Sequence, residues 1–175
     1  MAKTALVVGP TGAIGSRIHE HLCSMGWTVL STSRQKPANQ FQFGWDAVFS
    51  QKISALRSVD LIINSASPNR EWAAAHPDEF LEWMRDHGRR LVKLQKFCDS
   101  KLSFSMSTVH VYGDYSEGVL GEGSALNGSH PYAGGHKRLE GELLNTGWQV
   151  FRLSNTFGTA GTLGKLDPSA VTNDL

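Results

Sequence analysis

The sequence predicts an α/β fold: a doubly wound parallel sheet, strand order 3-2-1-4-5-6, in a single domain. Three observations carry this. The apolar run Thr4-Ala5-Leu6-Val7-Val8 ends directly in Gly9-Pro10-Thr11-Gly12-Ala13-Ile14-Gly15 and opens onto a helical pattern. Apolar runs then alternate with helical stretches, which demands crossover connections and a sheet covered on both faces. Finally, each strand stops at small or polar residues, and ligands of such sheets bind beyond those carboxyl ends.

The elements follow in order. Thr4 to Val8 anchor a β-branched strand at 3–8, and Ile14, Ile18, Leu22 and Met25 give the next segment, 13–25, one buried helical face. A strand at 27–32 ends in Ser31-Thr32-Ser33-Arg34, and a short one around Phe41-Gln42-Phe43 ends at Trp45-Asp46. A helix near 51–57 precedes a strand at 60–64 that ends in Asn64-Ser65-Ala66-Ser67. Helical pattern runs from about 71 to 99, with Pro77 as a start signal and Gly88 as an interior weak point. A strand at 102–107, an irregular glycine-rich stretch at 113–130, a helix at 131–146 and a strand at 148–153 complete the alternation.

Composition bounds the function. The chain has 175 residues and a formal charge of +1, with Lys and Arg scattered, so it lacks the basic footprint expected for nucleic acid or an anionic membrane. No apolar run approaches the roughly 20 residues of a transmembrane helix, and a cytoplasmic protein is expected. Cys23 and Cys98 lie far apart inside helical patterns and read as reduced packing residues. The His19 and His21 spacing falls on different helix faces without acidic or thiol partners, so no metal site is expected. Ser65, Ser67 and Ser107 lack the glycine-flanked elbow of a hydrolase nucleophile.

The glycine turn argues for a bound dinucleotide. Gly9 allows the sharp turn, Gly12 lets backbone N–H groups approach a pyrophosphate, and Gly15 lets the helix pack close, with Thr11, Ala13 and Ile14 completing the cradle. Two residues rather than one separate the first glycines, unlike the standard fingerprint. At the second strand end, Ser33 and Arg34 replace the acidic residue that would bond the ribose hydroxyls of NAD. A guanidinium there can grip a 2′-phosphate, so among the NAD(P) cofactors NADP is favoured; the alternative is an exposed arginine in a polar loop. Asp46, Ser65, Ala66, Ser67 and Asn155, at later strand ends, are further expected cofactor contacts.

These residues, over nearly the whole chain, resemble the extended short-chain dehydrogenase/reductase family, the NAD(P)-dependent sugar-nucleotide epimerases, dehydratases and reductases. Ser105-Met106-Ser107-Thr108-Val109-His110-Val111-Tyr112-Gly113 is similar to the family's catalytic strand end, with Thr108 at the catalytic place. Pro131-Tyr132-Ala133-Gly134-Gly135-His136 resembles its tyrosine helix, and Arg152-Leu153-Ser154-Asn155-Thr156-Phe157-Gly158 the segment beside the nicotinamide. The resemblance implies hydride transfer on a nucleotide sugar, with Tyr132 moving a proton and Thr108 sharing a hydrogen bond with the reacting oxygen. Plainer roles for both exist: half-buried packing for a Tyr at a helix start, and a cap for a Thr at a strand end.

Three departures qualify that implication. His136 stands where the family places its lysine; it shares a helix face with Tyr132, whereas Lys137 points about 100° away. An imidazole would lower a tyrosine's pKa less dependably than an ammonium. Aligned on Gly88, Arg85 occupies the place of the family's helix asparagine. Residues 1–158 then form an NAD(P)-binding domain and 159–175 the truncated start of a substrate domain. A catalytically impaired dinucleotide-binding module, or a reductase of another small carbonyl substrate, is the alternative, and the resemblance also suggests a homodimer.

Overall fold

The structure is a computed structural model and describes residues 2–34, 39–50, 53–113 and 119–154. Its strands are β1 (Thr4–Val8), β2 (Thr28–Ser33), β3 (Gln42–Gly44), β4 (Leu61–Asn64), β5 (Leu102–Thr108) and β6 (Gln149–Leu153). Every pairing is parallel and the spatial order is β3-β2-β1-β4-β5-β6, as the alternation of elements requires. The register brings Val8 beside Asn64 and Thr108 beside Leu153, so the functional strand ends form one row.

Period-two alternation divides the core. Leu6, Val8, Leu30 and Ile62 face α2 (Trp45–Phe49), α3 (Arg70–Ala75), α4 (Pro77–Cys98) and α5 (Pro131–Leu143), meeting Val48, Phe80, Met84, Leu91 and Leu139. Ala5, Val7, Val29, Leu61 and Ile63 face the other way, onto Ile18 and Leu22 of α1 (Ala13–Ser24). Helices α4 and α5 lie close because Gly135 faces the Phe80 ring: a Cβ at 135 would fall on it.

Three boundaries differ from the periodic reading. The helix expected near 51–57 is α2, starting at Trp45, while 54–58 forms a 3-10 turn with Leu56 buried. The i,i+4 pair Trp45 and Phe49, ring centroids 5.2 Å apart, places the helix where both rings reach His87 of α4. The 71–99 pattern is two helices because Pro77 excludes helical backbone at His76, whose φ and ψ are −134° and 62°. Finally, α5 stops at Leu143 and tightens into a 3-10 turn over 144–146. Cys98 is buried as expected; Cys23 is exposed, its Sγ 3.8 Å from His19 Nδ1, and so does not pack the core.

Candidate functional site

The glycine turn is fixed from beneath and open above. Gly9 has φ +85°, which favours glycine, and its N–H donates to Thr32 Oγ1 at 3.1 Å. Ser65 Oγ bridges the carbonyl oxygens of Val8 (3.1 Å) and Gly9 (3.0 Å), and a Cβ on Gly15 would collide with that Gly9 oxygen and with Ser65 Oγ. Ser65 thus ties the turn to β4. Gly12 differs: a Cβ there would meet nothing nearer than Gly9 O at 3.9 Å, so protein packing does not require glycine. Gly12 caps α1 without a side-chain hydrogen bond, and the first turn holds no acidic residue. Thr11, Gly12 and Ala13 are exposed around these N–H groups, with Ile14 half-buried, an arrangement that suits an anion such as a pyrophosphate.

At the β2 and β3 ends, Arg34 is exposed with its guanidinium 5.9 Å from the Trp45 ring centre. Asp46, expected at the cofactor, projects its side chain almost wholly into solvent (95% exposed), with Arg90 3.9 Å away. The side chain of Ser33 and all of Asn155 fall outside the described residues.

Between these ends and β4 lies a residue that the sequence reading passed over. His87 is buried and stacked on Trp45 and Trp83, and its Nε2 is 2.9 Å from Asn64 Oδ1. Asn64 also receives the Ala66 N–H at 3.2 Å and donates to Ser105 Oγ at 3.0 Å. With Oδ1 already an acceptor, His87 Nε2 carries the proton. Burial, then the Arg90 and Arg34 charges, lowers its pKa to about 3, so it is neutral near pH 7. The brace fixes Ala66 beneath Gly9. A periodic signal existed: 80, 84, 87, 91, 94 and 98 trace the buried stripe of α4.

Beside the β4 end, Ser67, Tyr132 and His136 converge. His130 begins α5 by accepting the Tyr132 N–H at 3.1 Å, with Pro131 next, and places the Tyr132 ring 4.6 Å from His136 and 5.8 Å from Phe80. Ser67 Oγ donates to Pro68 O at 2.8 Å and lies 3.4 Å from His136 Nε2. His136 is 3% exposed, its Nδ1 has no partner, and burial, then His110, lowers its pKa to about 4. It therefore brings no positive charge near pH 7. Burial raises the Tyr132 pKa; Ser67 and Arg70 oppose that shift and Glu71 adds to it.

Thr108 is buried and caps the 109–112 turn, its Oγ1 accepting the His110 N–H at 3.2 Å and its O–H donating to no described residue. Lys137 does turn away, donating to Leu126 O (3.3 Å) and Gly128 O (2.8 Å) and so pinning the 119–130 stretch. Arg85 pairs with Glu82 of its own helix. A cavity of about 270 Å³ opens in front of Tyr132, lined also by Arg70, His110, Asn127, Ser129 and His130.

Behind this cluster sits an ion pair that no spacing announced. Glu140, 2% exposed, accepts from Ser107 Oγ at 2.5 Å and from Arg152 Nη2 at 2.7 Å. Arg152 also donates to the Tyr112 hydroxyl (2.8 Å) and Glu122 O (3.1 Å), and Glu140 first, then Tyr112, hold its pKa above the usual value. The pair joins α5, β5 and β6 just below the strand ends. Among the described residues, no group of three His, Cys, Asp or Glu is placed to hold a metal ion, and no helix is long and apolar enough to cross a membrane.

The fold is shared with solved enzymes at low sequence identity. An NAD dependent NDP-hexosamine 5,6-dehydratase, TunA, of tunicamycin biosynthesis, superposes with TM-score 0.77 at 23% identity, covering 91% of this chain and 57% of its own. UDP-glucose 4-epimerase from Brucella ovis, in complex with NAD, gives 0.71 at 20% identity, covering 87% and 51%. MoeE5 in complex with UDP-glucose and NAD gives 0.69 at 18% identity, covering 84% and 52%. This chain thus spans little more than half the length of these structures. No curated protein matches the sequence. The model of the NAD dependent epimerase/dehydratase family matches residues 5–162, and the chain belongs to that family.

Proposed function

We propose that this chain is the dinucleotide-binding half of an NAD(P)-dependent epimerase, dehydratase or reductase acting on a nucleotide sugar. The observation that carries it is the turn from Gly9 to Gly15: packed tight at Gly9 and Gly15, open at Gly12, and leading to an α1 N-terminus that no side chain caps. Thr11 to Ile14 would hold the pyrophosphate, with Ser65, Ala66 and Ser67 bordering the cofactor's path along the strand ends. Arg34 would take the 2′-phosphate of NADP, and Asp46 adjoins the same end.

A bound nicotinamide supplies a group that accepts or returns hydride. The chain supplies the proton: Tyr132, whose pKa burial raises, donates to a substrate oxygen through its hydroxyl or recovers the proton in reverse. Thr108 holds that oxygen with its O–H, and His136 orients Tyr132 through the ring contact.

The complex of MoeE5 with UDP-glucose and NAD supports the substrate class. A homodimer through α4 would cover the Arg89–Glu142 and Arg90–Asp86 ion pairs, a polar interface. The neutral His136 favours a second reading, a binding module without turnover.

Thermal shifts with NADP(H) and NAD(H), followed by turnover with a panel of UDP-sugars, test both. Stabilisation by NADP(H), a preference reversed by Arg34→Asp, and turnover lost in Tyr132→Phe are expected. Stabilisation without turnover supports the module; no stabilisation by either dinucleotide refutes both.

A further inference from the structure

Hydride-transfer chemistry at Tyr132 calls for a positive charge that steadies the phenolate, and the residue in the expected place is a neutral, buried imidazole. The other cations nearby are committed elsewhere. Lys137 holds the Leu126 and Gly128 carbonyls, Arg85 holds Glu82, and Arg152 holds Glu140. Arg70 is different. It opens α3 directly after the Asn69 cap, lines the same cavity as Tyr132, and is engaged by no ion pair among the described residues. Ring packing links the two elements, since Trp72 of α3 meets Phe80 at 6.1 Å and Phe80 meets Tyr132 at 5.8 Å.

We propose that Arg70 is the positioning charge of this site: a permanent cation on the wall of the cavity that Tyr132 also lines, taking over the electrostatic role vacated at position 136. The inference rests on the reading of Tyr132 as the proton-transfer group. Among the described residues, the groups facing Tyr132 are Arg70 and Glu71 from α3, His110 from the 109–112 turn, and His130 and His136 on its own helix, while α4 presents Phe80. Arg70 favours the phenolate and Glu71 opposes it. Near neutral pH the guanidinium is the one permanent cation among them. Substrate entering the cavity would displace water and strengthen its effect, because the same charge acts through a lower dielectric.

Tetranitromethane nitrates tyrosine through the phenolate, so the nitration rate of Tyr132 at pH 8, located by peptide mass spectrometry, reads the ionised fraction without a cofactor. At low salt, Arg70→Gln is expected to slow it roughly threefold, the equivalent of half a pH unit for a partly exposed charge. Arg70→Lys should react at the native rate, and 1 M NaCl should erase the difference. Native-rate nitration of Arg70→Gln at low salt, or slowing that persists unchanged in 1 M NaCl, overturns the proposal. Failure to bind dinucleotide would instead remove the functional reading and leave the titration as it is.

Discussion

Lowering the pH from 7 to 5 should cost this fold about 4 kcal/mol through two histidines alone. His87 and His136 titrate at about 3 and about 4 in the folded chain, against 6.5 for an ordinary histidine. The folded values are depressed, so as the pH falls through 6.5 the unfolded chain takes up protons that the folded chain refuses. Stability is retained above 6.5 and drains away down to the folded values. At pH 5 an unfolded histidine is almost fully protonated and these two remain neutral, a difference of about 1.5 pH units each, or about 2 kcal/mol per residue. Against a typical total of roughly 5–15 kcal/mol that is a large share. Urea melts at pH 7, 6 and 5 on the native chain and on His136→Asn measure it, because the variant's constant cost cancels when slopes are compared. The variant should lose about 2 kcal/mol less than the native chain between pH 7 and 5. Parallel losses in the two proteins would show that His136 is not buried and neutral in the folded state.

Two further perturbations separate structural from functional residues. Glu140→Gln leaves Arg152, 18% exposed, without its carboxylate and should cost about 3–5 kcal/mol in urea unfolding, whereas Glu140→Leu with Arg152→Met should recover much of that loss. Gly15→Ala and Gly12→Ala should part company. The first puts a methyl onto the Gly9 carbonyl and should cost at least ~2 kcal/mol, while the second meets only open space, should cost about 1 kcal/mol or less, and should weaken dinucleotide binding measured by calorimetry. Equal affinity in Gly12→Ala and the native chain would mean that no ligand backbone approaches Gly12.

Much of the scaffold could be read locally, because its signals are local. The step from Val8 into Gly9, and the Pro77 and Pro131 starts, involve neighbours in sequence, and the strand ends follow once the crossovers are right-handed. What escaped depends on partners far apart in the chain. His87 acquires its meaning from Asn64, and Glu140 from Ser107, 33 residues away, and Arg152. Helix α2 was displaced for a similar reason: Trp45 and Phe49 look like the end of a strand until α4 offers them His87 and Trp83. The His136 substitution was visible, but its neutrality was not, since burial decides the charge of an imidazole.

That burial has a geometric source, and it accounts for the changed distribution of charge around Tyr132. Gly135 lets α5 sit directly on the Phe80 ring, so the next residue, His136, is closed off from solvent beside the half-buried Ser67. A lysine in so enclosed a place would be driven toward its neutral form, because desolvation disfavours the charged state unless an anion answers it, and no acidic side chain faces position 136 among the described residues. An uncharged imidazole can occupy the space for the loss of one hydrogen bond, at Nδ1. The positive charge then belongs where water can still support it, at the rim of the cavity, which is where Arg70 stands. A charge at the rim is screened by salt when the cavity holds water and unscreened when a ligand fills it. The ionisation of Tyr132 should therefore be coupled to substrate binding more strongly than it would be with a buried ammonium beneath the ring.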